Sequence, residues 1–233
     1  MNVLAVGAHP DDLELLCGGT LAKYALAGAS VTMAVLTNGD MGRPDTAPDK
    51  MAEIREAEFY AAAAVIGAET IWMGVGDEMS EINIGARLSM VDVLRKSAPD
   101  VILTHSGADY HVDHLNASRL VFEAAPLACV KNIIRSLPAL SKQPLIYHFD
   151  TLGAVNFLPS EYVDITPTIN IKKAMFACHR SQIDYMTEAT GFDMTDVIES
   201  VAKVRGYAAG VKYAEGFSRV DAWYRGTAER VLP

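Results

Sequence analysis

Short runs of aliphatic and β-branched residues alternate along this chain with longer stretches whose apolar positions recur at helical spacing. The runs at 3–6, 31–37, 70–73 and 101–104 read as strands, and the stretches at 20–28, 50–66 and 86–97 as the helices between them. Gly67 and Pro99 mark the ends of the second and third helices. Strands separated by crossover helices predict a Rossmann-like α/β fold, with a mostly parallel sheet and helices on both faces. The unbroken apolar runs Val3-Leu4-Ala5-Val6 and Val101-Ile102-Leu103 agree, because strands covered on both faces lose the polar alternation. Beyond Asn116 the pattern predicts a helix at 117–136, short strands near 145–149 and 162–165, and helices near 168–179 and 194–210. No shift in composition separates this mixed α/β C-terminal part from what precedes it, so residues 1–233 read as one domain.

Ligands of such sheets sit beyond the carboxyl ends of the strands, where the connecting loops converge. Two clusters fall there. His9-Pro10-Asp11-Asp12 follows the first strand, and His111-Val112-Asp113-His114 lies in the loop expected after the strand at 101–104. His9, His105, His111 and His114, four of the six histidines, share that end of the sheet. Taken alone, the first cluster is explained by helix capping, since Asp is favoured at a helix start and complements its dipole. Two such clusters at one end favour a site. Two imidazoles and one carboxylate with an open position suit catalytic zinc, and the same set suits Fe(II). A hydrolase also needs a free carboxylate to take a proton from water and a donor for the oxyanion, which Asp11 and His111 can supply.

The string Gly7-Ala8-His9-Pro10-Asp11-Asp12-Leu13-Glu14, the following Gly18-Gly19-Thr20 and the later His111-Val112-Asp113-His114 resemble the PIG-L/LmbE family of zinc-dependent N-acetylglucosaminyl deacetylases. Arg55 and Glu58 resemble that family's RxxE helix. His179-Arg180-Ser181-Gln182 and the segment from Ala209 to Phe217 are similar to signatures of its bacillithiol-biosynthesis branch. The resemblance implies that His9, Asp12 and His114 bind zinc and that Asp11 is the general base. His111 becomes the electrostatic partner of the tetrahedral intermediate, and Asp113 orients His111 or a ligand imidazole. Arg55 and Asp77 resemble positions that bind sugar or aglycone, and Arg43, in the loop at 38–44, is a further candidate for an anionic substituent. His105 is expected behind the site, and His148 and His179 in packing. Leu16 and Val112 stand where many members have Gly and Pro, which touches loop shape rather than chemistry.

The implied substrate is a small amino-sugar conjugate of the N-acetylglucosamine type, with a place in low-molecular-weight thiol biosynthesis. An amidase acting on a larger thiol or sugar conjugate is the alternative. Family resemblance also implies a homo-oligomer, trimeric or hexameric. The formal charge of −9, with no cluster of Lys and Arg, argues against nucleic acid as a partner. The apolar start stops at His9 with no basic residue before it, which predicts no signal peptide, no membrane span and a cytoplasmic address. Cys17, Cys129 and Cys178, an odd number without CxxC spacing, fit reduced thiols there. A nucleotide-binding module is disfavoured, because the first strand-to-helix turn carries two carboxylates where a dinucleotide binder needs G-x-G-x-x-G. Retention of both Asp11 and His111 speaks against a catalytically silent scaffold.

Overall fold

The structure is a computed structural model, and it describes residues 1–222 and 231–233. Strands β1 (Asn2–Gly7), β2 (Ser30–Thr37), β3 (Glu69–Val75) and β4 (Val101–Thr104) are parallel, joined by helices α1 (Asp12–Leu26), α2 (Pro48–Ala64) and α3 (Ile84–Ser97). Helix α4 (Val112–Ala128) then leads to β5 (Leu145–Phe149), parallel to β4. Strand β6 (Glu161–Asp164), helices α5 (Ile169–Phe176), α6 (Arg180–Thr190) and α7 (Met194–Ala209), and strand β7 (Ala214–Arg219) complete the chain. The sheet order is β3-β2-β1-β4-β5-β7-β6, with β7 antiparallel to both its neighbours. From β1 the chain winds outward one way to β3 and then returns to lay β4 on the other side. That reversal opens a crevice between the ends of β1 and β4, the place where open α/β sheets bind ligands.

Parity along the buried strands divides the core. Val3 and Ala5, Val31, Met33 and Val35, and Val101 and Leu103 face a cluster with Leu13, Leu21, Tyr24 and Phe59. Leu4 and Val6, Ala34 and Leu36, and Ile102 face the other, with Met90, Leu94, Leu120 and Val121. Both faces are covered, as the apolar runs require.

Five expectations are corrected. Helix α1 begins at Asp12, not Thr20, so Gly18 and Gly19 lie inside it. Gly19 is small because another element presses against it: a Cβ there would stand 2.8 Å from Ile165, whereas one on Gly18 would meet Lys172 at 3.4 Å, an ordinary contact. Gly19 and Thr20 donate their N–H groups to Glu215 at 2.9 and 2.8 Å, as they would to a capping residue, and Lys172 pairs with Glu215 while donating to the Leu15 carbonyl at 2.8 Å. The apparent helix start at Thr20 is thus a buried carboxylate meeting the middle of a helix. Helix α4 begins at Val112, with His111 as its N-cap, so His111-Val112-Asp113-His114 forms a first turn rather than a loop. The same helix stops at Ala128, because buried Arg95 gathers the carbonyls of Ala128, Val130, Ile133 and Leu137 at 3.0–3.1 Å. Finally, the helix expected at 168–179 stops at Phe176, a separate α6 follows, and β7 enters the sheet where no strand was expected.

Lys172 and Glu215 are 3% and 4% exposed, so removing one charge strands the other. Glu215→Gln is expected to cost about 3–5 kcal/mol of folding stability, read as a fall in the urea midpoint. A loss under about 1 kcal/mol would mean that the pair is solvated.

Candidate metal centre

The first strand-to-helix turn is folded around Asp12. Its Oδ2 accepts the N–H groups of Ala8 at 3.0 Å and His9 at 2.7 Å, closing the turn with the residue that opens α1. Pro10 has no N–H to offer, and its carbonyl takes the Arg55 guanidinium at 2.7 Å. Asp11 is then held at φ 136°, a conformation that costs a non-glycine residue of order 1–3 kcal/mol and sends its carboxylate away from that of Asp12. Arg55, buried on α2, faces it with 3.3 Å between guanidinium and Asp11 Oδ1.

From the end of β4 come His105 and Asp109, and from the start of α4 come His111 and His114. His114 Nε2 lies 3.3 Å from His9 Nδ1 and 3.4 Å from Asp12 Oδ1, and His9 Nδ1 lies 3.4 Å from Asp12 Oδ2. A tetrahedral ion with bonds of about 2.0–2.1 Å spaces its ligands about 3.3–3.4 Å apart, so the residues fit zinc in chemistry and their pairwise distances match its spacing, with Asp12 using Oδ1 toward His114 and Oδ2 toward His9. Neighbouring triads of potential ligands overlap it: His9, His111 and His114; Asp12, His105 and His114; His9, Asp77 and Asp113.

The far side of each imidazole is also engaged. His114 Nδ1 faces Asp109 at 3.1 Å, and His9 Nε2 faces Asp77 at 3.1 Å and Asp113 at 3.3 Å. Carboxylates behind ligand histidines fix the ring orientation and raise its basicity. Asp113 in turn accepts from the Ser80 hydroxyl and, at 2.8 Å, from the Glu78 N–H. It therefore serves His9 rather than the His111 ring. What Asp113 gives His111 is a backbone N–H, donated to Nδ1 at 3.2 Å. A neutral His111 thus carries its proton on Nε2, which points at Glu78 Oε1 3.1 Å away.

The electrostatics are those of a site crowded with bases. Burial disfavours a charged His9, but its hydrogen bonds to the carboxylates of Asp113, Asp12 and Asp77 outweigh it and push the ring up to about 12. His114 is likewise disfavoured by burial yet pushed up to about 9 by Asp12 and Asp109. Burial would raise Asp12, but His114 and His105 hold it well below the usual carboxylate range. Burial dominates at Asp11, raised to about 6 although Arg55 opposes it, and at His105, pushed down to about 4.

His9, Asp11, Asp12, Arg55, Asp77, His111 and His114 thus line one cavity of about 250 Å³. Arg55 is committed to the protein: besides Asp11 and Pro10 it bonds the Gly39 carbonyl at 3.3 Å. Asp77 is committed to His9 and accepts from the Thr37 hydroxyl at 3.3 Å. Arg43 turns to α6, bonding Asp45 and Glu188 at 3.0 Å and lying 5.8 Å from the Tyr185 ring centre. His105 packs behind the cluster, stacked on His114 at 3.9 Å between ring centres. His148 meets Ser118 at 3.3 Å away from the cavity, and His179 is buried against Glu14 at 3.4 Å. Sequence reasoning missed Glu78, Ser80, Asp109 and the cavity's far wall from α6 and α7. Asp109 had a signal, lying within the same strand-end segment as His105 and His111; on α6 the string His179-Arg180-Ser181-Gln182 reached Gln182 of the lining, but Tyr185 and Met186 had none.

A Rossmann-like sheet whose crevice gathers imidazoles and carboxylates that could hold a metal ion, and whose first turn gives its N–H groups to Asp12, differs from a nucleotide-binding one. The PIG-L family, described as GlcNAc-PI de-N-acetylase, matches residues 4–125, and the chain belongs to it. It is 29% identical over 227 residues to diacetylchitobiose deacetylase of Thermococcus kodakarensis, covering 92% of this chain and 81% of that one. It is 34% identical to the uncharacterised deacetylase YaiS of Escherichia coli, covering 77% and 91%. The crystal structure of the 4-carboxy-2-hydroxymuconate hydratase from Pseudomonas putida KT2440 superposes with a TM-score of 0.84 at 25% identity, covering 99% and 100%. No helix among the described residues is long and apolar enough to cross a membrane.

Raised values at His9 and His114 mean that protons compete with metal for both rings at neutral pH. Binding one divalent ion at pH 7 is expected to release about two protons, and metal affinity to rise with pH, with a shallower slope once pH passes the His114 value of about 9. Calorimetry in buffers of different ionisation enthalpy measures this; release of no protons would show that these imidazoles are not ligands.

Proposed function

We propose that this protein is a zinc-dependent deacetylase that removes the N-acetyl group from an N-acetylglucosamine-type conjugate. The observation that carries the reading is the convergence of three residues, with His9 Nδ1 3.3 Å from His114 Nε2 and the two oxygens of Asp12 3.4 Å from them, Oδ1 toward His114 and Oδ2 toward His9, with Asp11 and His111 beside them. Zinc held there supplies an acidified water and a polarised acetyl carbonyl. Asp11 takes the water's proton on its carboxylate as the carbon–oxygen bond forms. With a value near 6 it is ionised at neutral pH and still basic enough for the task. His111 donates its Nε2 proton in a hydrogen bond to the oxygen on which charge develops, displacing half-exposed Glu78 from that position. The carbon–nitrogen bond breaks as Asp11 returns its proton to the departing amine, leaving acetate and the free amino sugar. Arg55 positions Asp11 and keeps it ionised. Cytoplasmic residence, which three cysteines without CxxC spacing fit, and a trimeric or hexameric assembly belong to the same reading.

A hydratase is the second reading, favoured by the likeness to the Pseudomonas enzyme. The same activated water can add to a carbon–carbon double bond. That relative's substrate is by name a polycarboxylate, whereas this cavity presents Asp11, Asp12, Asp77 and Glu78 against one guanidinium, already committed. Even a divalent ion leaves the lining net negative, which disfavours a polyanion. Amine release from a panel of N-acetylglucosamine conjugates, run beside hydration of a muconate-type acid, decides between the two.

In Asp11→Asn, bound zinc is expected to stay near wild type while kcat falls by roughly 10²–10⁴. Loss of metal together with activity would make Asp11 a ligand. His111→Ala is expected to lower kcat by about 10²–10³ with zinc retained and little change in KM. In Arg55→Met the acidic limb of the pH–rate profile is expected to move to higher pH. The base must be ionised, its value near 6 sets that limb, and removing the cation that lowers it lets it rise. A rise in KM with the limb unmoved would instead assign Arg55 to substrate binding.

A further inference from the structure

The cavity above the histidines has two unlike halves. The same lining includes an apolar wall of Leu15, Phe176, Tyr185, Met186 and Met194, drawn from α1, α5, α6 and the start of α7, in which Phe176 and Met194 are buried and Tyr185 and Met186 half-buried. At the mouth, Met41 and Tyr110 keep 53% and 58% of their surface in water although both line the cavity. A bare sugar, with a hydroxyl on nearly every carbon, gains little from such a wall, because its polar groups must exchange water for protein hydrogen bonds.

The polar side chains on that side are already engaged. Gln182 donates to the Gly42 carbonyl at 3.4 Å, and Arg43 is tied to Asp45 and Glu188. Arg55, the one Arg or Lys among the described lining residues, is spent on Pro10, Gly39 and Asp11. Thus no Arg or Lys among the described lining residues is free to receive an anionic substituent. Methionine and tyrosine, by contrast, adapt to flat or irregular apolar groups.

Resting on the deacetylase reading, we propose that the substrate carries an uncharged apolar substituent beside the scissile amide, seated against the Tyr185–Met186–Met194 wall. At about 250 Å³ the cavity is at the small end for ligand sites, so the group has the size of one aromatic ring rather than a long chain. Its place on the substrate is either the aglycone or an acyl group larger than acetyl.

The test uses the zinc-loaded protein and separates binding from turnover. Calorimetry compares methyl, phenyl and carboxymethyl glycosides of glucosamine, which lack the amide. It also compares methyl glycosides of N-acetyl- and N-butanoylglucosamine, bound to Asp11→Asn so that none is consumed. Phenyl is expected to bind about 10–100-fold tighter than methyl, and carboxymethyl weaker than methyl, if the apolar group is an aglycone. A comparable preference for butanoyl over acetyl without a phenyl preference puts the group on the acyl side. Either preference is expected to fall by about tenfold in Tyr185→Ala/Met186→Ala. Equal binding across both series, tightest binding of carboxymethyl, or a preference untouched by a folded double variant overturns the proposal. The two readings fail separately. An apolar preference with no amine released by the wild type from any of the N-acyl sugars sinks the deacetylase reading alone, and amine release with no preference sinks only the apolar subsite.

Discussion

The Asp12 carboxylate is the constraint on which the site depends. Through Oδ2 it holds the backbone N–H groups of Ala8 and His9 and lies 3.1 Å from His105 Nε2, and through Oδ1 it faces His114. One side chain therefore ties the end of β1, the start of α1, the loop after β4 and the first turn of α4. In dinucleotide-binding members of this architecture, the same turn offers its N–H groups to a phosphate. Here the chain's own carboxylate has taken that place. The anion that a Rossmann-like turn attracts is supplied internally, and its remaining lone pairs point into the crevice where a cation fits.

A second layer of carboxylates makes the imidazoles better donors. Asp109 stands behind His114, and Asp77 and Asp113 stand behind His9. Asp113 is fixed by Ser80, which also receives the Asn116 amide at 3.0 Å, so the orientation of His9 is set from the end of β3 and from α4 together. This arrangement presses negative charge toward the crevice, and the high values of His9 and His114 are its signature. Arg55 opposes it only at Asp11. The result is a sharp division among acids that are close neighbours, with Asp12 held deprotonated and Asp11 left near the range where a carboxylate can both take and return a proton.

The C-terminal part of the chain completes what the first half begins. Glu215 on β7 reaches the backbone of α1 at Gly19 and Thr20 while Lys172 on α5 closes the pair, which locks the helix that carries Asp12 onto the second half of the sheet. Arg43 ties the loop after β2 to α6, and Glu58 on α2 accepts from the Ser181 N–H at 2.7 Å. The apolar wall of the cavity is thereby held at a set distance from its polar floor.

The sequence by itself determined the alternation of strands and helices, the burial of the sheet on both faces and the chemical character of the two clusters, because these follow from local periodicity and from residue types that have few other uses side by side. It also marked Gly18-Gly19 as a discontinuity, for a sound reason assigned to the wrong cause: a helix start was inferred where Glu215, distant in the chain, caps the middle of a helix. Only the tertiary structure decided which acid serves which imidazole. Asp113 is adjacent to His114 in sequence and close to His111, yet its carboxylate turns to His9 across the crevice, since the helical turn that presents His114 inward rotates its neighbour toward Ser80 and Glu78. Likewise only packing shows that Arg55 and Asp77, both in the cavity lining, also contact Asp11, Pro10 and His9, and that Ile183 and Met186 of α6 pack against Phe176, Met194 and Ile198. Contacts between residues far apart in the chain obey no spacing rule along it, so their pairing is a property of the fold alone.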